Sequence, residues 1–443
     1  MKLKELLADV PVQQWHADPE MEVTALCCDS RKAEPGSLFV AVSGFASDGN
    51  RFIPAAMEKG AAAVVTAKKP EQEIPYVLVE SDRLALALIS ANYFGRPSEK
   101  MTMIGITGTN GKTTTTSLLG QIMKNYTENT YVVGNIGNPY TSVALETTED
   151  SVIVAEMSSF QLETIETFRP RVSAILNITP DHLNRHHTME AYIAAKENIA
   201  KNQTEEDTCV LNYEDAVTRQ FGETLKAKVL YFSSQRILEE GIYLDGEKIV
   251  LSLNGEKTEI CTVNELNILG THNHENAMAA AAMAAAYGVP VEIIRKTLKE
   301  FQGVEHRIEF VAEKDGVVYY NDSKGTNPDA AIKGIQAMNR PTVLIGGGYD
   351  KDSAYDEWIN AFDGKVKKLV LIGATREKIA QTAEKLGFHE IVMADTFEEA
   401  FEKCVEYAEP GDAVLLSPAC ASWGMFKNYE QRGDKFKELV NQL

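Results

Sequence analysis

The chain has 443 residues, 44% of them apolar and 24% charged, enough for about three domains at roughly 150 residues each. Its 44 basic residues against 64 acidic ones give a formal charge of −20. The basic residues are dispersed, which argues against a nucleic-acid partner, because such binding needs many phosphate contacts from one basic face. The longest run of small apolar residues, 277–286, is too short and too alanine-rich to cross a bilayer. The opening residues mix Lys2, Lys4, Glu5 and Asp9 into short apolar pieces and show no signal-peptide pattern, so a cytosolic protein without a membrane partner is expected. Cysteines at 27, 28, 209, 261, 404 and 420 show no metal-binding spacing and are expected as free thiols in or near the core.

In chain order, three blocks emerge. Residues 1–98 alternate β-branched runs (SLFVAVSG, AAAVVT, YVLVE) with helical spacing over 53–59 and 84–94, and Gly95-Arg96-Pro97 punctuates their end. Residues 99–303 carry strands around MTMIGIT, SVIVAEM, SAILNI, DTCVLN and KVLYF, and hairpins at Asp245-Gly246 and Asn254-Gly255. This block closes with helices over 276–287 and 291–301. Residues 304–443 repeat the alternation with GVVYYND, RPTVLIGG, KLVLIG, EIVMA and DAVLLS. Strands so separated predict an α/β fold of parallel sheets covered by helices, with ligands at the carboxyl ends of the strands.

The stretch GITGTNGKTTTT, residues 105–116, falls between a predicted strand and a predicted helix. The strict phosphate-loop pattern places a glycine, then four intervening residues, ahead of Gly-Lys-Ser/Thr, and Ile106 stands at that glycine's position. The physical requirement is still met. Gly108, Thr109, Asn110 and Gly111 can turn backbone amides toward an anion. Lys112 can reach terminal phosphates, Thr113 offers a hydroxyl to magnesium, and the helix begun near Thr114 favours negative charge at its amino end. This predicts ATP or GTP binding and leaves open what the nucleotide is used for.

Three further residues invite the same site. Glu156 should end a buried strand, where a carboxylate beside phosphates makes sense as a magnesium ligand; a capped or surface glutamate is the ordinary alternative. His182 follows a proline turn and enters a helix, as a metal ligand or a cap. Lys196 sits in an alanine-lined stretch beside Tyr192, Ile193 and Ile199. It is either a snorkelling lysine or, if carboxylated to a carbamate, a metal-binding anion.

The segments TGTNGKTT (107–114), GNIG (134–137), AEMSSFQLE (155–163), NITPDHLNRH (177–186), YIAAK (192–196) and GTHNHEN (270–276) resemble the Mur ligases, ATP-dependent enzymes of peptidoglycan precursor synthesis, with folate polyglutamate synthetases as more distant relatives. HRIE (306–309), NDSKGTNPDA (321–330), GGYDK (347–351) and LSPACASWGMFKNYEQRGDKF (416–436) are similar to the branch that adds D-glutamate. By contrast, CCDSRKAEPGSLFVAVSGFASDGNRFIPAA (27–56) resembles the amino-terminal domain of the branch that adds the third residue.

The resemblance implies a three-domain Mur ligase architecture. A UDP-sugar-binding domain (1–98) would precede a central P-loop ATPase-like parallel-sheet domain (99–303) and a Rossmann-like amino-acid-binding domain (304–443). It implies that Lys112 and Thr113 hold phosphates and Mg2+, that Glu156 and His182 are metal ligands, and that Lys196 is the carbamylated lysine. Asn273, Asn276, Arg307 and Asp322 would face the nucleotide, and Asn135 the muramoyl substrate. Asp29, Ser30, Arg31, Ser47, Asp48 and Gly49 would help to hold the UDP-sugar, and Lys324, Thr326, Lys351, Ser422 and Tyr429 the incoming D-glutamate. Tyr429 stands where the branch usually has phenylalanine, and Trp423-Gly424 replaces a leucine-aspartate pair; both changes bear on the amino-acid pocket.

The implied activity is transfer of D-glutamate to UDP-N-acetylmuramoyl-L-alanine through an acyl phosphate, releasing ADP and phosphate. Three alternatives stand beside it: the same chemistry with a diamino acid, a folate-type synthetase, and a nucleotide-binding scaffold without ligation. Oligomeric state is not legible in the sequence.

Overall fold

The computed structural model describes residues 1–44, 48–350 and 352–443. The predicted substrate residues Ser47 and Lys351 lie outside the described residues. The described residues form three sheets.

The first sheet has the strand order Val12–Trp15, Tyr76–Val79, Ala63–Thr66, Ser37–Ala41, Ala25–Cys27. Its central strands are buried at every position because helices cover both faces. Alternate residues serve the two layers: Leu38, Val40 and Val65 pack with Leu3, Leu6 and Ile89, while Phe39, Ala41 and Val64 pack with Ile53 and Ala56. The predicted helices appear as Ile53–Glu58 and Asp82–Tyr93, the latter capped by the Ser81 hydroxyl accepting from Leu84 N.

The second sheet runs Glu256–Thr262, Lys248–Leu253, Gly241–Asp245, Lys228–Ser233, Thr208–Asn212, Val172–Ile175, Thr102–Thr107, Val152–Glu156, Thr130–Gly134. Its parallel part ends in two antiparallel hairpin connections. The turn at Asn254-Gly255 has positive φ at both residues, 55° and 79°, the backbone that two-residue hairpins require. The helices Lys112–Tyr126 and Thr271–Tyr287 share one face of the sheet, where residues 277–284 are wholly buried. Alanine is used there because small side chains let the helix lie close to both sheet and neighbour.

The third sheet runs Glu309–Lys314, Val317–Asn321, Ala413–Leu416, Thr342–Gly347, Val366–Ile372, Ile391–Met393. The sheets are mostly parallel, as expected, and each carries at least one antiparallel edge. The strands Val12–Trp15 (VQQW), Ala25–Cys27 and Glu309–Lys314 (EFVAEK) carry no strong strand signal in the sequence, whereas Thr130–Gly134 (TYVVG) carries one that sequence reasoning missed. Val12–Trp15 and Glu309–Lys314 are polar edge strands, held by ladder bonds more than by apolar burial.

All six cysteines are free thiols, and four are buried; Cys28 is exposed and Cys27 intermediate. Among the described residues, no helix is long and apolar enough to cross a membrane.

Candidate functional site

The site forms where the central strands end. Strand Thr102–Thr107 runs into Gly108 and, three residues later, Gly111, with φ of 154° and 84°. The helix begins at Lys112, two residues before the predicted start. Gly111 is obligatory on two counts: its backbone is left-handed, and a Cβ there would lie 2.2 Å from Asn276 Oδ1. The loop is tied from outside. Asn110 N donates to Asn177 Oδ1 at 2.8 Å, and Asn177 Nδ2 returns a bond to Asn110 O at 3.1 Å. Thr109 Oγ1 lies 3.1 Å from both Thr179 O and Tyr192 OH.

Lys112 Nζ folds back on the loop, donating to Gly108 O at 2.8 Å and Thr109 O at 2.9 Å. Lys196 Nζ, fully buried, donates to Gly108 O at 2.7 Å and sits 4.8 Å from the Tyr192 ring centroid. Burial, assisted by the Lys112 charge, pushes Lys196 down to about 7, and burial lowers Lys112 as well. Lys196 is therefore no surface snorkeller; its amine is kept partly neutral near physiological pH.

Glu156 ends strand Val152–Glu156 as predicted and is 1% exposed. Its Oε1 accepts from Asn135 Nδ2 at 2.8 Å, while Oε2 is buried without a hydrogen-bond partner. An orphaned buried carboxylate oxygen is costly, and here it marks a seat that a divalent cation fits. Thr113 is the second residue of the helix and half-buried. His182 holds a left-handed backbone, φ 53°, at the start of Leu183–His186 and makes no side-chain cap bond. Its ring lies 5.0 Å from that of Phe160.

Behind it, His186 is locked between Ser159 Oγ at 2.9 Å and Glu163 Oε1 at 3.0 Å. Among the described residues the one close group of His, Cys, Asp and Glu that could hold a metal is elsewhere, at Glu305, His306 and Asp434, and it is already bridged by Lys437, which pairs with Glu305 and lies 3.3 Å from Asp434.

A cleft of about 490 Å³ separates the loop from the third block. Thr109, Asn110, Gly111 and Thr114 line one side, Asn273 and Asn276 another, and Arg307, Asp322 and Lys324 the wall opposite. Asn276 Nδ2 donates to Asn273 Oδ1 at 3.0 Å, and Asn276 Oδ1 accepts from Thr115 Oγ1 at 3.3 Å. Asp322 is buried, accepts from Ser417 Oγ at 2.7 Å, and is pushed by burial up to about 7.

Lys324 Nζ sits 5.4 Å from the Tyr429 ring centroid, and burial, helped by Arg307, lowers it; burial raises the Tyr429 phenol to about 12. Thr326 N donates to Lys324 O, closing the turn at 2.8 Å, and Ser422 is buried. Trp423 meets Tyr349 edge-on at 5.5 Å, both rings largely exposed, and Gly424 is left-handed at φ 89°.

Thr326, Ser422 and Tyr429 do not line this cleft, and neither do the described residues predicted in the first block. In the first block, Asp29 caps the turn Ser30–Lys32 and binds the Arg31 guanidinium at 2.8 Å, which holds it at about 2. Asp48 caps Gly49–Phe52 and pairs with Lys68 at 2.6 Å; a Cβ on Gly49 would lie 2.5 Å from Val42 O. Sequence reasoning missed Asn177, Asp181, His272 and Lys333 as cleft residues. Asn177 and Asp181 lie within a quoted motif just past a strand end. His272 lies within another, GTHNHEN (270–276), and Lys333 carried no local signal.

A phosphate loop, an orphaned strand-end carboxylate and a buried helix lysine, across a cleft from Arg307, Asp322 and Lys324, suit an ATP-using ligase. The chain belongs to the Mur ligase family. Residues 106–284 match the Mur ligase middle domain, residues 306–420 the Mur ligase glutamate ligase domain, and residues 22–93 the Mur ligase family catalytic domain.

The UDP-N-acetylmuramoylalanine–D-glutamate ligase of Lachnoclostridium phytofermentans is 62% identical over 338 residues, 76% of this chain and 74% of that protein. The ligase of the same description from Thermoanaerobacter sp. (strain X514) is 52% identical over 377 residues, 83% of each chain. In fold, the chain is similar to MurF from Acinetobacter baumannii, with a TM-score of 0.70 at 22% identity over 99% of this chain and 98% of that one. It is also similar to a UDP-N-acetylmuramoyl-L-alanyl-D-glutamate–2,6-diaminopimelate ligase, with a TM-score of 0.69 at 20% identity over 94% and 93%.

Proposed function

We propose that the chain is the ATP-dependent ligase that adds D-glutamate to UDP-N-acetylmuramoyl-L-alanine in peptidoglycan precursor synthesis. The observation that carries this is the 62% identity to a ligase of that description across three quarters of both chains, together with the glutamate ligase match over the third block.

The reaction is carboxyl activation. A carboxylate oxygen of the muramoyl L-alanine attacks the γ-phosphorus of ATP, the bond to the β–γ bridging oxygen breaks, and ADP leaves. The D-glutamate amine then attacks the acyl carbonyl, phosphate departs with the C–O bond pair, and the amine loses a proton. Most of the task is to hold anionic partners together against their repulsion. Lys112 would leave its backbone acceptors for the terminal phosphates. Arg307 and Asp322 would meet the nucleotide from the third block, with Asn273 and Asn276 on the helix between.

A bound Mg2+ would be held by Glu156 Oε2, His182, the Thr113 hydroxyl and a carbamylated Lys196, and it supplies charge neutralisation and polarisation at the phosphate oxygens. Asn135, besides orienting Glu156, would touch the muramoyl substrate. We assign 1–98 to the UDP-sugar through the Asp29–Arg31 and Asp48–Gly49 turns, 99–303 to ATP, and 304–443 to D-glutamate through Lys324, Thr326, Ser422 and Tyr429. With these substrates the reaction is assigned to the cytoplasm.

The test is product identification with UDP-N-acetylmuramoyl-L-alanine, ATP and D-glutamate, run beside L-lysine and diaminopimelate. The D-glutamyl product with one ADP released per amide is expected. Product from a diamino acid alone would overturn the assignment.

A further inference from the structure

We propose that Lys333 is a nucleotide-positioning residue, which presents a cation from the third block to the ribose and α-phosphate end of ATP in the cleft. The inference rests on the nucleotide reading of that cleft. Lys333 stands on the helix Pro328–Ala337, whose start is fixed by Asn327 Oδ1 accepting from Ala330 N at 2.9 Å. It lines the cleft and is half-buried. Among the described residues its side chain makes no hydrogen bond or ion pair. Burial lowers it, with Asp329, one turn earlier on the helix, acting in the opposite sense. A chain with a formal charge of −20 nevertheless sets Arg307, Lys324 and Lys333 beside Asp322 and Asp329 along one wall.

Its place along the cleft follows from its neighbours. Lys112 and Lys324 lie within the fields of both Glu156 and Arg307. Lys333 instead feels Arg307 and Asp329, and its own charge acts on His272. His272 packs against Gly270, whose added Cβ would lie 3.3 Å from Ala337 Cβ at the far end of the Lys333 helix. Asn276, one turn further along the helix that carries His272, meets the phosphate loop at Gly111, so Lys333, at the His272 end, lies about a turn away from that loop. With terminal phosphates at Lys112, the His272 end takes the nucleoside. A lysine merely exposing its tip to water would sit there at no benefit to binding.

The test is calorimetric titration with ADP of the full chain, comparing wild type, Lys333→Ala and Lys333→Arg, with steady-state kinetics on each and thermal midpoints as a check of folding. Lys333→Ala should weaken ADP by about tenfold and raise the KM for ATP similarly, with kcat and the KM for D-glutamate within about twofold of wild type. Lys333→Arg should regain most of the loss. Wild-type ADP affinity in a folded Lys333→Ala, or a fall in kcat with the KM for ATP unchanged, overturns the inference while leaving the nucleotide reading intact. No ADP binding by wild type would instead overturn that reading and this inference with it.

Discussion

Lys112 Nζ and Lys196 Nζ donate to one acceptor, the carbonyl of Gly108, at 2.8 and 2.7 Å. Two cations on a single oxygen repel each other, and burial weakens both. The arrangement holds the loop shut on itself and makes a triphosphate the better partner for Lys112. It also keeps the Lys196 amine reactive toward carbon dioxide, the reaction that would convert it to an anion.

Lys196→Ala should lower kcat by about 100- to 1000-fold, the usual cost of losing one preorganised charge at a reacting centre, with ADP still bound. Added formate or propionate should restore part of the rate if a carbamate is what Lys196 supplies. A wild-type rate in the variant without added acid would exclude that role.

Gly111→Ala should cost about 1–3 kcal/mol from its left-handed backbone alone. The clash at 2.2 Å with Asn276 Oδ1 would also push the helix Thr271–Tyr287 away from the loop. Chemical denaturation and ADP titration measure the two effects; loss of stability without loss of ADP affinity would argue against a loop shaped for phosphate.

Stability should change with pH in two opposite windows. Asp322 is raised from 3.8 to about 7, so between those values the folded chain holds a proton that the unfolded chain has released, and stability falls as pH rises. Lys196 is lowered from 10.5 to about 7, so above about 7 the unfolded chain holds the extra proton and stability climbs with pH. Thermal midpoints in bicarbonate-free buffer with chelator should lose the first slope in Asp322→Asn and the second in Lys196→Met. Parallel curves for wild type and both variants would contradict these assignments.

His186→Ala leaves the buried Ser159 Oγ without its partner, while Glu163 keeps Arg185, a loss of about 1–3 kcal/mol for the one buried polar group. The same ring packs 5.2 Å from Tyr192, whose hydroxyl meets the Thr109 hydroxyl. The KM for ATP should therefore rise along with the loss of stability. Urea denaturation and initial rates report the two quantities, and an unchanged midpoint would show the triad to be idle.

Local chemistry makes several features readable from the residues alone. The strand, two glycines and helix of residues 102–126 lie within one continuous segment, so backbone permissiveness and amide direction follow from near neighbours. Glu156 falls legibly at a strand end because the run ahead of it is uniformly apolar. The same reasoning fails for polar edge strands such as Val12–Trp15, where pairing with Tyr76–Val79 supplies what the side chains do not.

By itself, then, the sequence determined the three-block α/β order, the phosphate loop and the family motifs, because each depends on residues close together along the chain. Only the tertiary structure decided that Lys112 and Lys196 share one carbonyl, that Glu156 Oε2 is stranded, and that Lys333 and His272 turn into the cleft. Lys333 has the spacing of any polar position on an amphipathic helix. Which solvent-facing side becomes a ligand wall is settled by how separate sheets dock, and no short-range pattern encodes that.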